Sequence, residues 1–511
     1  MKEINRFFKL GTLLLAGGIF ASCTKLDTKV YSPVTQDNFW QTPAQIAAGI
    51  APAYQALQNI PNGNTFEIMS TAGGEMITPT RGNDWADNGD HLAAWLHSWK
   101  ADRGWVDGLW SDYFGGIGKT NFILSVVNDL PTKPGNIDAI NAELKCVRAY
   151  FYYWAMDAFG NVPLVTDFNT NPNSVTNKTR AEVYAFILND LTTNIQQLAR
   201  NKDATTYGRM TVWAAHMLLA KMYLNAGVYL GAGNENWAGA KSECDSVIMK
   251  GGYVMPSNYL DNFSVNNQGS PENIFVVPFD NNYIGGNNWE METLHYQSNA
   301  TFGLSGSPWN GYCVTADIYN EYDAADKRRS MFLVGQQYGL DGTALKDIQT
   351  GLALNFNPNV ASISDPSAAF RLVGARNVKY APQAGTAGNQ SNDMVLFRLA
   401  DAYLMRAEAN LHLGNMAAAV ADVNLVRERA YGETPGGPHD LATIDLPTLY
   451  VERQKEMMWE CWSRQDAVRF GIFSGARNPG KIADADAHWT IFPIPAPEIV
   501  SNPNLKQNPG Y

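Results

Sequence analysis

Three tryptophans stand in polar loops, where no hydrophobic pattern requires a large ring. Trp85 lies within RGNDWADNGD (residues 81–90), Trp289 follows YIGGNN, and Trp309 lies within SGSPWNGY. Large aromatic rings are costly to leave in water unless something covers them. Sugar rings offer apolar C–H faces edged by hydroxyls, so flat aromatic platforms with polar rims bind them. The three tryptophans therefore predict a glycan-binding surface.

The same loops carry further side chains that suit a sugar. Two tyrosines would extend the platform, and polar residues of the first loop would form hydrogen bonds with hydroxyls at its rim. These candidates are Tyr283, Tyr312, Arg81, Asn83, Asp84 and Asn88. The competing interpretation is that one or two of the loop tryptophans only pin their loops to the scaffold.

Other tryptophans follow helical spacing and are predicted to lie in the core. These are Trp95, Trp99, Trp105, Trp110, Trp154 and Trp213.

An enzyme is the alternative that the first loop raises. Glycoside hydrolysis needs two carboxylates about 5–10 Å apart, and Glu75, Asp84, Asp87 and Asp90 are near in sequence. Closely spaced Asp residues in a Gly/Asn loop are, however, typical turn formers. The chain has no HExxH, no GxSxG and no phosphate-binding glycine loop. We predict no catalytic residues, and a hydrolase that uses residues 75–90 is the less favoured alternative.

Charged residues at helical spacing look like a catalytic cluster but favour ion pairs between helices. They are Arg148, Asp157, Arg406, Glu408, Arg427, Arg429, Glu452, Arg453, Glu456, Glu460, Arg464 and Asp466.

Two acidic pairs, Asp323 with Asp326 and Asp484 with Asp486, are the obvious oxygen-rich positions. They lack EF-hand spacing. No metal ligand is assigned, and a structural calcium is left open. The thiols Cys146, Cys244, Cys313 and Cys461 contain no CxxC pair. Their spacing allows two disulfides but does not require them.

Helical patterns lie at both ends of the chain, around an irregular middle. Residues 140–160 and 206–226 carry apolar side chains at three- and four-residue steps, and 236–250 predict a shorter antiparallel partner. Residues 396–429 repeat the pattern of helix, tight turn and helix, and 447–470 predict one further helix. Helix pairs of this kind are typical of tetratricopeptide repeats, here without a strict period.

Residues 251–390 are rich in Gly, Asn, Pro and Ser, and residues 274–279 predict the clearest strand. Long irregular segments inside folded proteins are usually functional. The predicted fold is mainly α, with degenerate tetratricopeptide-like repeats and a loop-rich region with minor β. We divide residues 23–511 into a helical scaffold (about 40–250 and 390–470), an irregular ligand-binding insertion (about 251–390) and a C-terminal strap (471–511).

The first 22 residues have the charge, apolar run and small residues of a secretory signal. A cysteine follows directly, and Phe20 to Cys23 resemble the lipobox of bacterial lipoproteins, in which the cysteine carries the lipid. We therefore expect Cys23 to anchor the mature protein to a membrane. The chain of 511 residues is 45% hydrophobic, 12% aromatic and carries a formal charge of −11. It is therefore globular, and its acidity argues against nucleic acid as a partner.

A series of motifs in order resembles the SusD/RagB family over nearly the whole mature length. The first runs from LD at 26–27 through Thr35 to NFW at 38–40. The next is RAYFYYWAMDAFGNVPLV at 148–165, in which Asn161 replaces the usual Asp. They continue with LADAYLMRAEAN at 399–410 and VNLVRER at 423–429. They end with the charged helix 452–471 and the tail FPIPAPEI and NPNLKQNPGY.

The resemblance implies four tetratricopeptide-like units, outer-membrane anchoring at the cell surface and a SusC-like TonB-dependent transporter as partner. It implies a non-catalytic lipoprotein that captures a polysaccharide or oligosaccharide for import. Family members of the SusD type place an aromatic arc in loops that match Trp85, Trp289 and Trp309. RagB-like relatives serve peptide uptake, so a peptide ligand on the same scaffold is the other alternative.

Overall fold

A computed structural model describes residues 39–62, 64–81 and 84–511. The predicted signal sequence, Cys23 and Asn83 lie outside these residues. The described part is mainly helical with little strand, which confirms the predicted fold class.

The N-terminal helical region contains the long helices of the scaffold. Its α-helices are α1 (Pro43–Leu57), α2 (Asn59–Asn62), α3 (Asn64–Ala72), α4 (Asp90–Leu96), α5 (Gly104–Asp129), α6 (Ile137–Phe159), α7 (Arg180–Asn194), α8 (Val212–Leu224), α9 (Ala226–Leu230) and α10 (Trp237–Lys250). Helix α5 packs on α6, α6 on α7, and α8 on α10. Every residue of α6 from Cys146 to Phe159 is buried, so α6 is the central helix of this region.

The remaining α-helices are short in the irregular middle and longer after it. They are α11 (Trp289–Thr293), α12 (Ser298–Phe302), α13 (Ala316–Tyr319), α14 (Leu399–His412), α15 (Met416–Tyr431), α16 (Leu446–Met457), α17 (Ser463–Arg469) and α18 (Ala496–Ser501). Helix α14 packs on α15 and also on α10. The two parts of the predicted scaffold therefore join into one helical array through the α10–α14 contact.

Within the described residues, the strands form four two-stranded antiparallel pairs. They are β1 (Val162–Pro163), β2 (Asn177–Lys178), β3 (Asn273–Val277), β4 (Phe332–Leu333), β5 (Gly335–Gln336), β6 (Asn355–Phe356), β7 (Arg376–Asn377) and β8 (Met394–Arg398). The pairs are β1–β2, β3–β8, β4–β7 and β5–β6. Pair β3–β8 sets Asn273 opposite Arg398 and Val277 opposite Met394, where the chain returns to the scaffold.

Single-turn 3₁₀ helices connect these elements. They are Asp87–Gly89, Pro172–Ser174, Ile195–Gln197, Tyr259–Phe263, Asn267–Gly269, Lys327–Met331, Ala368–Leu372 and Ala487–Thr490.

Local sequence explains where several helices begin. The hydroxyl of Thr179 accepts a hydrogen bond from the backbone of Glu182, whose carboxylate accepts one from the Thr179 backbone, so a capping box starts α7. The Asp445 carboxylate accepts from the Thr448 backbone at 2.9 Å and starts α16.

The prediction of one helix over 447–470 is wrong, because the chain breaks between α16 and α17. Trp459 and Cys461 have φ values of 63° and 72°, in the left-handed region that ends a right-handed helix. Both side chains are buried at this break. Burial of Trp459 in a tertiary contact therefore overrides the helical pattern of the sequence.

Residues of the predicted charged set form buried ion pairs, which also include Arg398, Arg328 and Glu272, three residues outside that set. The Arg398 guanidinium lies 3.0 Å from Glu272, 2.5 Å from Glu456 and 2.6 Å from Glu460. Arg328 and Arg429 also contact Glu456. Burial alone would raise the pKa of Glu456, but the guanidinium groups of Arg429, Arg398 and Arg328 lower it well below its ordinary value. We call these residues the Arg398 network.

Other charged residues from the sequence pattern pair in the same way. Arg148 bonds Asp190 at 2.8 Å, Arg464 bonds Asp157 at 2.6 Å, and Arg453 bonds Asp466 at 2.9 Å.

The tryptophans that follow helical spacing lie in the core, as predicted. Each is at most 5% exposed. The thiols of Cys146, Cys244, Cys313 and Cys461 are buried and free.

The two acidic pairs that suggested calcium are engaged by the protein itself. Asp326 holds Arg328 at 2.8 Å and Lys455 at 3.2 Å, and Asp484 holds His97 at 2.7 Å. Asp323 and Asp486 accept hydrogen bonds from nearby backbone. In the part of the chain that the structure describes, no group of three acidic, His or Cys side chains is arranged to bind a metal ion, and no helix has the length and apolarity to cross a membrane.

Replacing Arg398 with Met should destabilise the protein by about 3–5 kcal/mol, because three buried carboxylates lose their shared cation. The free energy of unfolding in urea measures the effect. Lys178→Met is the control, since Lys178 and Glu182 form an exposed pair at 3.6 Å, and it should change stability by less than about 0.5 kcal/mol. Equal losses in the two variants would contradict the role of the network.

Candidate functional site

The loop that carries Trp85 is held in a strained backbone conformation. The backbones of Arg81 and Asp84 bond each other in both directions, at 3.2 and 3.1 Å. Trp85, Asp87 and Asn88 follow with φ values of 56°, 35° and 51°. Residues other than glycine rarely adopt this left-handed backbone conformation, so surrounding contacts must hold the loop in place.

The contacts that hold Trp85 come from the segment around Trp309. The Trp85 indole N–H donates to the Trp309 carbonyl at 2.6 Å. A Cβ on Gly311 would lie 2.4 Å from the Trp85 ring, so only glycine lets the indole pack there. The two tryptophans are therefore neighbours, although 224 residues separate them in sequence.

The Trp309 segment is itself fixed on α11. The Trp309 backbone N–H donates to Met291 at 2.7 Å, and the Gly311 and Tyr312 N–H groups donate to Glu292 at 3.0 and 2.9 Å. The Trp309 side chain remains 40% exposed. An aromatic ring on a braced backbone is thus presented to solvent.

Polar groups lie beside the two tryptophans. Asp84 accepts from the Tyr296 hydroxyl at 2.6 Å and from Arg371 at 3.0 Å. The Arg371 guanidinium lies 5.0 Å from the centre of the Tyr296 ring and also bonds Asp347 at 2.9 Å. Trp85, Trp309, Asp84, Tyr296 and Arg371 together form what we call the Trp85–Trp309 surface.

Tyr296 and Arg371 were absent from the sequence prediction. Neither stands in a Gly/Asn loop or a charged motif, and the irregular middle contains other tyrosines and arginines in similar contexts. Only their contacts with Asp84 distinguish them.

Three predicted site residues are buried. Trp289 is 4% exposed and packs against Trp459, with ring centres 5.4 Å apart, and against Phe66 at 6.4 Å. Tyr312 is fully buried, and Arg81 is 5% exposed with its guanidinium bonded to the Asn310 carbonyl at 2.8 Å. Their burial contradicts the expectation that a ligand contacts them. They support the surface from below.

The other predicted residues lie at or near the surface. Tyr283 is 88% exposed on a turn at 280–284, and Asn88 is exposed beside Trp85. The Tyr283 turn borders residues 389–391, through a 3.2 Å bond from the Asn281 N–H to the Ser391 hydroxyl. The Trp309 loop borders the residues just before that stretch, since the Ser305 N–H donates to Thr386 at 2.9 Å. The loops of Tyr283 and Trp309 therefore both contact the segment 386–391.

The carboxylates that suggested hydrolysis have different partners, and that of Asp87 lies 3.3 Å from the His91 imidazole. Glu75 is 1% exposed, and its carboxylate accepts from the Trp459 backbone. Asp84 is bonded to Arg371 and Tyr296, and Asp90 bonds Arg103 at 2.9 Å.

An acidic cluster lies directly beneath Trp85. The Tyr312 hydroxyl donates to Glu67 at 2.6 Å and lies 3.0 Å from His91, and the Tyr312 and His91 rings both pack on Trp85. Burial raises the pKa of the Glu67 carboxyl to about 7. Burial, together with the nearby Glu67, raises the pKa of Glu292 to about 9. The Glu67 carboxyl beneath the surface therefore changes its charge near neutral pH.

Comparisons with known proteins agree over most of the chain. Residues 271–511 match the model of the SusD family, and residues 26–224 match a model described as starch-binding and associating with the outer membrane. Together these two matches span most of the chain, and they confirm its resemblance to SusD-type proteins.

Curated relatives cover much of the same length. SusD-like protein P25 of Formosa agariphila is 25% identical over 94% of each chain. The starch-binding protein SusD of Bacteroides thetaiotaomicron is 26% identical over 72% of each.

Solved structures share the fold. A laminarin binding SusD-like protein superposes with a TM-score of 0.72 at 23% identity, over 92% of this chain and 100% of that one. Surface glycan-binding protein A from Bacteroides fluxus gives a TM-score of 0.74 at 22% identity, over 92% and 100%.

Trp289→Ala should cost about 3–5 kcal/mol of stability, because it leaves a cavity against Trp459 and Phe66. Trp309→Ala removes a side chain that is 40% exposed, and it should cost less than about 1 kcal/mol. Urea unfolding of the two variants measures the difference. Similar stabilities would contradict the assignment of Trp289 to the core and Trp309 to the surface.

Stability should fall as pH rises from about 5 to 7, partly through Glu67. The unfolded chain ionises this carboxyl near its ordinary pKa, whereas the folded chain holds the proton up to about pH 7. Between these values the folded state binds more protons, so its stability decreases with pH. Glu67→Gln should remove this slope and gain about 3 kcal/mol on wild type from pH 4 to 8.

Urea unfolding at several pH values gives this difference. Glu182→Gln is the control, because hydrogen bonds from Thr179 lower the pKa of that exposed carboxylate. Its difference from wild type should stay constant above pH 5. A constant difference for Glu67→Gln would show that Glu67 is not the titrating group.

Proposed function

We propose that this protein is a non-catalytic glycan-binding lipoprotein of the cell surface, and that the Trp85–Trp309 surface holds the glycan. One observation carries the proposal: a partly exposed indole on a braced loop stands beside groups that both donate and accept hydrogen bonds. Names of similar proteins support it, since they include a starch-binding protein and a laminarin binding protein.

Each part of the surface has a role in this proposal. The Trp309 ring stacks on the C–H face of a sugar ring, and Trp85 extends the platform. Asp84 accepts hydrogen bonds from hydroxyls, whereas Arg371 donates them. Because Arg371, Tyr296 and Asp84 already fix one another, little ordering is needed when a glycan binds, which favours affinity. Tyr283 and Asn88 flank the surface as further contacts.

An open face of this kind suits a long chain of sugars better than a single ring. Successive rings of a polysaccharide can lie along it, and each stacking partner adds apolar contact. The proposed ligand is therefore a polysaccharide or oligosaccharide.

The proposal places the protein at the outer membrane, anchored through lipid on Cys23. The description of the model that matches residues 26–224 supports this location. A TonB-dependent transporter of the SusC type would receive the captured glycan for import, as the resemblance to SusD-type proteins implies.

Trp309→Ala should weaken glycan binding about thirtyfold, because exposed aromatic anchors dominate binding energy. Residues 24–511 without the lipid cysteine are run in native gels that contain laminarin, soluble starch or xyloglucan, and the retardation at several glycan concentrations gives the affinity. Phe168→Ala is the matched control, since Phe168 is 50% exposed on another loop, and it should bind as wild type does.

Full retardation of a folded Trp309→Ala variant would remove this surface from the site. Absence of retardation for wild type in all three gels would favour a peptide ligand. Release of reducing ends from a retarding glycan would contradict the non-catalytic role and favour a hydrolase.

A further inference from the structure

A second concave region lies away from the Trp85–Trp309 surface. Residues 201–211 form one wall, residues 268–276 form the other, and Tyr253 lines it between them. Its volume is about 520 Å³, which is within the range of small-molecule sites. None of the residues of the Trp85–Trp309 surface lines this cavity.

The first wall is held by its own hydrogen bonds. The Val212 N–H donates to Ala199 at 3.0 Å and closes the loop, and the Thr206 hydroxyl donates to Asn201 at 2.9 Å. Gly208 has a φ of 68°, and a Cβ there would lie 2.5 Å from Pro278. The loop therefore sits directly on the chain that follows β3.

The second wall is equally fixed. The Ser270 hydroxyl donates to the Asn262 side chain at 2.7 Å, and the Pro271 carbonyl accepts from the Val254 N–H at 3.0 Å. Two braced walls make a preformed cavity, so a ligand does not have to order them.

Two tyrosine rings line the cavity. The Tyr207 hydroxyl donates to the buried Asp393 carboxylate, which anchors the far end of that ring. The Lys202 ammonium lies 4.4 Å from the centre of the Tyr253 ring. Both tyrosines are only half-buried. Their rings thus contribute apolar area to a lining that is otherwise rich in amides and hydroxyls.

An unsatisfied acceptor is present in the lining. The Asn273 side chain donates to the Asn262 carbonyl at 3.1 Å, but its own Oδ1 is buried with no partner among the described residues. A buried acceptor without a donor costs about 1–3 kcal/mol. A ligand hydroxyl that donates to Asn273 would remove this cost. Gln268 adds an exposed amide at the rim.

The charge of the lining favours a neutral ligand. Lys202 and Asp203 are the cation and the anion among its residues. A lining with a single cation and a single anion does not match the demand of a phosphate or another anion for several cationic donors. Aromatic faces, amides, hydroxyls and zero net charge together match a sugar.

We propose that this cavity is a second saccharide-binding site, built by Tyr207, Tyr253, Gln268 and Asn273 and separate from the Trp85–Trp309 surface. It takes a short stretch or the end of a neutral glycan chain. A polysaccharide that engages both sites is retained longer than either site alone would hold it, because the second contact forms at high effective concentration.

Two variants at opposite walls test the proposal by filling the cavity. Gly269→Trp is built on an exposed residue whose Cβ would meet no atom within 4 Å, and Ala204→Trp stands on the exposed facing loop. Gly115→Trp on α5 is the control, because its Cβ position is also open and Gly115 does not line the cavity. Thermal unfolding shows whether each variant is folded, and Gln268→Ala offers a milder change at the rim.

Native gels with laminarin, soluble starch or xyloglucan provide the measurement. In a gel that retards wild type, Gly269→Trp and Ala204→Trp should each weaken binding about tenfold, whereas Gly115→Trp should not. The Trp309→Ala variant should still be retarded weakly. The double variant that combines Trp309→Ala with Gly269→Trp should not be retarded.

Other outcomes separate the two proposals. Folded cavity variants that migrate as wild type would overturn the second site and leave the Trp85–Trp309 surface as the site. If the cavity variants lose retardation and Trp309→Ala keeps it, the result would support the cavity as a glycan site and overturn the Trp85–Trp309 surface. A wild type that none of the three polysaccharides retards would count against both.

Discussion

The Arg398 guanidinium is the interaction on which the rest of the structure depends. It joins Glu272, the residue before β3, to Glu456, at the end of α16, and to Glu460, in the break between α16 and α17. Within the break, the Trp459 N–H donates to Glu75, and the Trp459 ring packs on Trp289. A chain of buried contacts thus runs from the ion pairs to the floor of the Trp85–Trp309 surface. Buried charges are costly unless fully paired, so this arrangement admits little variation.

The Trp85 loop has a strained backbone that tertiary contacts stabilise. Three residues there hold left-handed backbone, and the cost is offset by the indole bond to Trp309 and by packing on Gly311. A ligand surface that is ordered before binding loses little entropy when it is occupied. The same loop rests on two carboxyls whose pKa burial raises, to about 7 for Glu67 and about 9 for Glu292, so the two acidic groups are not both charged at neutral pH.

The sequence predicted the scaffold better than the site, for physical reasons. Helical periodicity reports which face is buried, and it identified α6, α8, α10 and α14 within a few residues. It failed at 458–462, where burial of Trp459 breaks the helix. Trp289 and Trp309 stand in similar Gly/Asn loops, yet only Trp309 reaches solvent. The difference arises from Phe66 and Trp459, distant partners that no local pattern reveals. Arg371 became part of the surface through Asp84, again at long range.

The contact between α10 and α14 has a consequence for how such a protein can change. Helix α10 ends at Lys250 and α14 begins at Leu399, yet the two helices pack together. The intervening chain leaves the helical array and returns to it at nearly the same place, where β3 pairs with β8. Its loops can lengthen, shorten or exchange residues without moving the helices beneath them. Ligand preference can therefore change through the loops while the stability of the helical scaffold stays the same.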